Sequence, residues 1–174
     1  DVVEIRESDT LNPGFYFVDS IGFKSISFDK SLCKEPVEAG SGKISVLLVE
    51  PNKYPKMIEI DDTLEAMQAV VGGDIEEYMP FEDEVAIICN EEGKVNRLPL
   101  NRAVYDEHSK EMIEIIAGDF FIAYAPIELE TFKSLPKDLE KKYSEKFKYP
   151  ERFYKQNGQI KAYPVKPKEH DVER

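Results

Sequence analysis

Cysteine and histidine are scarce in this chain, and the scarcity removes several kinds of chemistry. Cys33 and Cys89 lie 56 positions apart, and the only histidines are His108 and His170. Four such scattered residues cannot supply the clustered spacing of a structural zinc site. One distant cysteine pair is no disulfide framework, and Cys89, which closes the apolar run from Val85, reads as a small core residue. His108 sits in the polar run Tyr105 to Lys110 and His170 near the C-terminal end, so neither is expected to be a buried, oriented base. Long apolar runs are absent too: Val46 to Val49 and Val85 to Cys89 are strand-sized, well short of a membrane span. The expectation is a soluble, cytoplasmic protein without metal, cofactor, membrane span or signal peptide. Asp1 in place of Met fits a chain lacking a few native residues.

Positive charge is the minority, with 23 Lys and Arg against 35 Asp and Glu for a net charge of −12. The imbalance is uneven. Residues 1–42 carry 8 acids and 4 bases, residues 43–132 carry 20 acids and 7 bases, and residues 133–174 carry 7 acids and 12 bases. A middle segment of net −13 is repelled by nucleic-acid phosphates and attracted by basic clefts, which points to a basic, nucleic-acid-binding protein as partner. An acidic surface also keeps a protein soluble, and that plainer reading stands beside the first.

At 174 residues, 41% of them hydrophobic, the chain suits one ordinary domain with a smaller appendage. Alternation at Val3 and Ile5, Phe15 and Phe17, and Ile26 and Phe28 predicts two or three short strands, an N-terminal β appendage over 1–35. Pro36 to Gly42 is small and flexible, a linker. Ile44 to Val49, and Met57, Ile58 and Ile60, predict a hairpin. Asp62 or Thr63 then caps a helix with Leu64, Met67, Val70 and Val71 on one face, ended by Gly72-Gly73. Strands follow at Ile75 to Met79 and Val85 to Cys89, with a turn over Asn90 to Gly93. Arg97 to Ala103 reads as irregular because of Pro99. Ile113 to Ile116 and Phe120 to Ala125 predict strands parted at Gly118. Ser134 is expected to cap a second helix carrying Leu139, Tyr143 and Phe147, stopped by Pro150. The fold class is α+β: a mostly antiparallel sheet with two helices in an acidic domain over 43–153, followed by a tail over 154–174.

Several stretches stand in a distinctive order: Lys43-Ile-Ser-Val-Leu-Leu-Val-Glu-Pro51, Val71-Gly-Gly-Asp-Ile75, Cys89-Asn-Glu-Glu-Gly-Lys94, Leu98-Pro-Leu-Asn-Arg102 and Ile116-Ala-Gly-Asp-Phe-Phe-Ile122. Together they resemble an acidic domain family encoded mainly by phages, plasmids and conjugative elements of Gram-positive bacteria. The family has no established catalytic residues to carry over. Small acidic proteins of such elements often disarm host defence nucleases, as antirestriction and anti-CRISPR proteins do, and some imitate the charge of DNA. What the resemblance implies, by analogy of context, is an inhibitor of a type II CRISPR nuclease carrying its guide RNA, acting in the cytoplasm of a bacterial host. An adaptor in conjugation or phage replication is the alternative of another class.

The expected partner-binding residues are the acids at hairpin ends and loops, Asp74, Glu76 and Glu77, then Glu82, Asp83 and Glu84, then Glu91 and Glu92, with Tyr78 and Phe81 as anchors among them. If the strands from 75 and 85 pair, the clusters flank one sheet end or edge and can meet arginines that ordinarily hold phosphates. Solvated loops explain the acids equally simply, and core packing explains Tyr78, Met79 and Phe81. No catalytic residue is expected. The rival reading, a metal-dependent enzyme that processes nucleic acid or nucleotides, uses Glu92-Gly93-Lys94, the Glu-x-Lys form of metal-dependent nucleases, with Asp74 or Asp83 upstream, but places the pair in a turn rather than on a rigid strand. Lys137, Lys141, Lys142, Lys146 and Lys148 form a basic helix face, the one route to direct nucleic-acid contact.

Overall fold

The computed structural model describes residues 2–5, 12–19, 22–27 and 42–166, and the chain divides into two compact units, Asp1–Val37 and Glu38–Arg174. In the first unit β1 (Val2–Ile5), β2 (Gly14–Asp19) and β3 (Gly22–Ile26) form an antiparallel sheet in that order. Tyr16 is buried there; its hydroxyl donates to the Asn12 carbonyl at 2.9 Å and its ring meets Phe23 edge-on. Phe28, Cys33, His170 and the expected linker short of Gly42 lie outside the described residues.

The second unit begins with β4 (Lys43–Val49), β5 (Lys56–Asp61), α1 (Leu64–Val71), β6 (Ile75–Tyr78) and β7 (Val85–Asn90). It continues through β8 (Leu100–Tyr105), β9 (Met112–Ala117), β10 (Phe120–Tyr124), α2 (Lys137–Lys146), β11 (Glu151–Gln156) and β12 (Gln159–Pro164). Five strands make one antiparallel sheet in the order β5-β4-β10-β7-β6. One face, with Val46, Ala86, Ile88, Phe121 and Ala123, is covered by Met67 and Val71 of α1. The opposite face, with Leu47, Val49, Ile87, Phe120 and Ile122, is covered by Val104 of β8, Ile116 of β9 and Tyr143 and Phe147 in and after α2. Because the central strands are covered on both faces, they read as unbroken apolar runs, and every residue of β7 is buried. The chain is α+β, as the sequence predicts. Among the described residues no helix is long and apolar enough to cross a membrane.

Three local readings are corrected. Arg97 to Ala103 is not irregular throughout: β8 starts after Pro99 and pairs with β9. Its alternation is hidden because Asn101 and Arg102 are polar yet only 1% exposed. The tail from 154 is structured to 164, since β11 and β12 pair around Asn157-Gly158, both at positive φ as a tight hairpin requires. Thr63 is the cap of α1, its side chain accepting the Ala66 N–H at 3.2 Å, but Ser134 caps nothing. Pro136 holds the N-cap position of α2, and the Ser134 hydroxyl accepts the Ser45 N–H instead.

Arg102 and Asn101 bind the layers together. The Arg102 guanidinium donates to the carbonyls of Phe147 at 3.1 Å, Lys53 at 2.7 Å and Asn101 at 3.1 Å, while the Asn101 amide donates to Val49 at 2.8 Å and Gly118 at 2.7 Å. Burial pulls the Arg102 pKa down to about 10, which leaves the group charged at neutral pH. Buried carbonyls without donors cost about 1–3 kcal/mol each, and Arg102 serves three carbonyls, a loss offset in part by relief of the guanidinium's own desolvation. Arg102→Met is expected to lower stability by about 2–4 kcal/mol, measured by urea unfolding; a change below about 0.5 kcal/mol contradicts this role.

Candidate functional site

The β6–β7 hairpin forms one edge of the main sheet and carries all the acids singled out in the sequence. Pairing of Ile75 with Asn90 and Tyr78 with Ile87 separates the clusters. Asp74, Glu91 and Glu92 gather at one end of β6, whereas Glu82, Asp83 and Glu84 lie in the loop beyond the other, about 13 Å away at the rise of a four-residue strand.

The loop cluster is largely occupied with holding the fold. Asp83 accepts from Lys142 and from the Tyr143 hydroxyl at 2.8 Å, and the Lys142 ammonium holds its carboxyl below the usual range. That tether contributes stability above pH 4 or so and loses it as pH falls through the lower folded value. Glu84 accepts from the Tyr124 hydroxyl at 3.1 Å and the Ile127 N–H at 3.2 Å. Glu82 pairs with His108 at 3.0 Å, both side chains exposed. Phe81 is core, stacked among Tyr143 and Phe147 with the Lys146 ammonium 4.2 Å from its ring centre. The basic helix face is correspondingly reduced: Lys142, Lys146 and Lys148 pair with Asp83, Glu107 and Glu145.

At the other end Asp74 accepts from Gln68 at 2.9 Å and Glu92 from Asn96 at 3.3 Å. The side chains of Glu76, Glu77 and Glu91 are exposed and make no hydrogen bond or ion pair among the described residues. Strand alternation divides the two on β6. Glu76 and Tyr78 face a cleft of about 250 Å³ between the hairpin and β9, whose walls include Cys89, Glu91, Lys94 and Glu114. Glu77 faces the other way, toward a groove of about 270 Å³ with Met79, Ile127, Leu129 and Phe132. Glu114, Ile127, Leu129 and Phe132 lie in segments far from the hairpin in sequence and carry no local signal of the cleft or groove; Met79 alone stands among the acids, where core packing explains it as well.

The cleft is chemically quiet around its thiol. Burial, with Glu76 and Glu114 nearby, pushes the Cys89 pKa up to about 11. Burial also opposes ionisation of Glu114, but Lys94 and the Ile115 N–H outweigh it and hold that carboxyl below its usual range. Lys94 is engaged with Glu114, and of the two upstream acids in the nuclease reading Asp74 lies at the same end of the hairpin as Glu92 while Asp83 lies at the far end. Among the described residues no three His, Cys, Asp or Glu side chains group to hold a metal.

Close approaches explain the glycine motifs at this end of the hairpin. Asn90 donates to the Gly72 carbonyl at 3.1 Å, past the left-handed Gly72 that closes α1, and a Cβ on Gly73 stands 2.5 Å from the Asn90 amide nitrogen. A Cβ on Gly93 meets the Ala117 carbonyl at 2.8 Å. These segments lie within a span with a family match. The chain belongs to the family described as a domain of unknown function (DUF3846). The family model matches residues 44–148, from β4 to just past α2, and so includes the hairpin, the cleft and the groove. Neither the curated proteins nor the solved structures give a match.

Cys89 is expected to resist alkylation. At pH 8 its thiolate fraction is about 10⁻³, against roughly a quarter for an ordinary cysteine, so iodoacetamide labelling mapped by peptide mass should be slower by two orders of magnitude than in denaturant. Equal labelling rates in the folded and unfolded chain contradict the burial.

Proposed function

We propose that this chain is a non-enzymatic inhibitor, carried by a mobile genetic element, that seats its acidic sheet edge in the basic DNA-binding cleft of a host defence nuclease. The first target is a type II CRISPR nuclease with its guide RNA in the cytoplasm of a bacterial host, where the inhibitor blocks target-DNA engagement. The observation that carries the reading is the set of exposed carboxylates without partners among the described residues, Glu76, Glu77 and Glu91, along an outer hairpin of a chain with net charge −12. The neighbouring acids Asp74, Glu82, Asp83, Glu84 and Glu92 each have a side-chain partner within the fold, so these three are available to others. Arginines that hold phosphate oxygens accept carboxylates in the same forked geometry. The long-range field of the acidic segment steers it toward such a cleft.

The test is target-DNA cleavage by the guide-loaded nuclease. Replacing Glu76, Glu77 and Glu91 together by Gln should weaken inhibition about tenfold or more and flatten its salt dependence, with little change in melting temperature because the three side chains are exposed. Changing Lys137 and Lys141 to Gln should leave inhibition intact. Equal inhibition by the Gln variant at every salt concentration excludes charge mimicry. Metal-dependent cleavage by the protein itself, abolished by Glu92→Gln, supports an enzyme in its place.

A further inference from the structure

We infer that β6 is a docking strand: an extended segment of a partner protein, alternating basic and apolar residues, adds to it antiparallel as a sixth strand of the sheet. The inference deepens the reading above and rests on it for the acidic edge being a protein-binding surface. The Glu91 N–H donates to the Asp74 carbonyl at 2.9 Å, so Asp74 faces Glu91 as a hydrogen-bonded pair. Antiparallel pairs alternate, which points the backbone of Glu76 and Tyr78 toward β7 and that of Ile75 and Glu77 outward. β6 has β7 as its one strand neighbour among the described residues, so that outward row faces no strand.

The two sides of β6 then state what the guest must be. A guest residue opposite Glu76 extends over the cleft, where the carboxylates of Glu76 and Glu91 have no partner among the described residues and the Tyr78 ring forms part of the wall. An arginine or lysine satisfies both carboxylate and ring. Guest residues opposite Ile75 and Glu77 turn to the other face and its groove, where Met79 is 44% exposed, Ile127 83% and Leu129 51%. Large apolar side chains left together in water favour an apolar guest side chain, with Glu77 and Glu130 at the margin drawing a basic flank. A second copy of this chain is disfavoured, because pairing β6 with itself sets Glu76 and Glu77 against their like.

The probe is a blocked peptide of about ten residues alternating arginine and valine, titrated into the full-length ¹⁵N-labelled protein. Saturable binding with the largest amide shifts at Ile75 and Glu77 is expected. Valines take the places opposite Ile75 and Glu77, so N-methylating the valine amides should cost about tenfold or more in affinity, while N-methylating the arginine amides, which face away, should cost little. Glu77→Pro should produce the same loss with an intact melt, because proline is tolerated where an edge-strand N–H points outward. Should that variant fail to fold, the methylated peptides decide the matter with the protein unaltered. Equal binding of both methylated peptides, shifts centred on Glu82 to Glu84, or no binding of the parent peptide overturns strand addition. Peptide binding in a protein that inhibits no nuclease overturns the nuclease reading alone; inhibition that survives Glu77→Pro with peptide binding lost overturns strand addition as its route.

Discussion

The guanidinium of Arg102 and the amide of Asn101 satisfy five backbone carbonyls that the sheets and helices leave over. Those carbonyls come from the ends of β4 and α2, the turn after β4, the turn before β10 and β8 itself. Four of the five bonds are buried, where water cannot stand in for the donor, and the fifth, to Lys53, is part-buried. Two adjacent donor side chains on one strand, one charged and one neutral, serve all five, and Glu151 accepts the Ala103 N–H at 2.6 Å. The cleft depends on this arrangement, because β9, its outer wall, is held over the sheet through β8.

Charge is divided between two uses. Asp83, Glu84, Glu107 and Glu114 are met by lysines, hydroxyls or N–H groups and act as tethers between β6–β7, α2, β9 and the loop after β10. Glu76, Glu77 and Glu91 have no such role. Their mutual repulsion destabilises the compact state slightly, and nothing in the packing of the sheet requires carboxylates there. The same residues also keep an open strand edge from pairing with its own kind.

The periodic parts are legible from local sequence. The apolar runs of β4, β7 and β10, the spacing of Met67 and Val71, a cap at Asp62 or Thr63 and the Gly72 stop are local patterns whose physics is complete within a few residues, and the α+β class follows from them. The hairpin's acidity was equally legible. Which acids remain available is set by tertiary contacts: Asp83 and Glu76 look alike in sequence, and only the arrival of Lys142 and Tyr143 from 59 and 60 positions away separates them. Such contacts also decide that Leu100 to Tyr105 is a strand, since two buried polar side chains erase the alternation unless their distant carbonyls are known. The cleft and the groove belong to this second class, because each is closed by segments far apart in the chain. Local patterns report what a residue's neighbours in sequence require; a partner, a wall or an unsatisfied carbonyl depends on distance in space, which only folding sets.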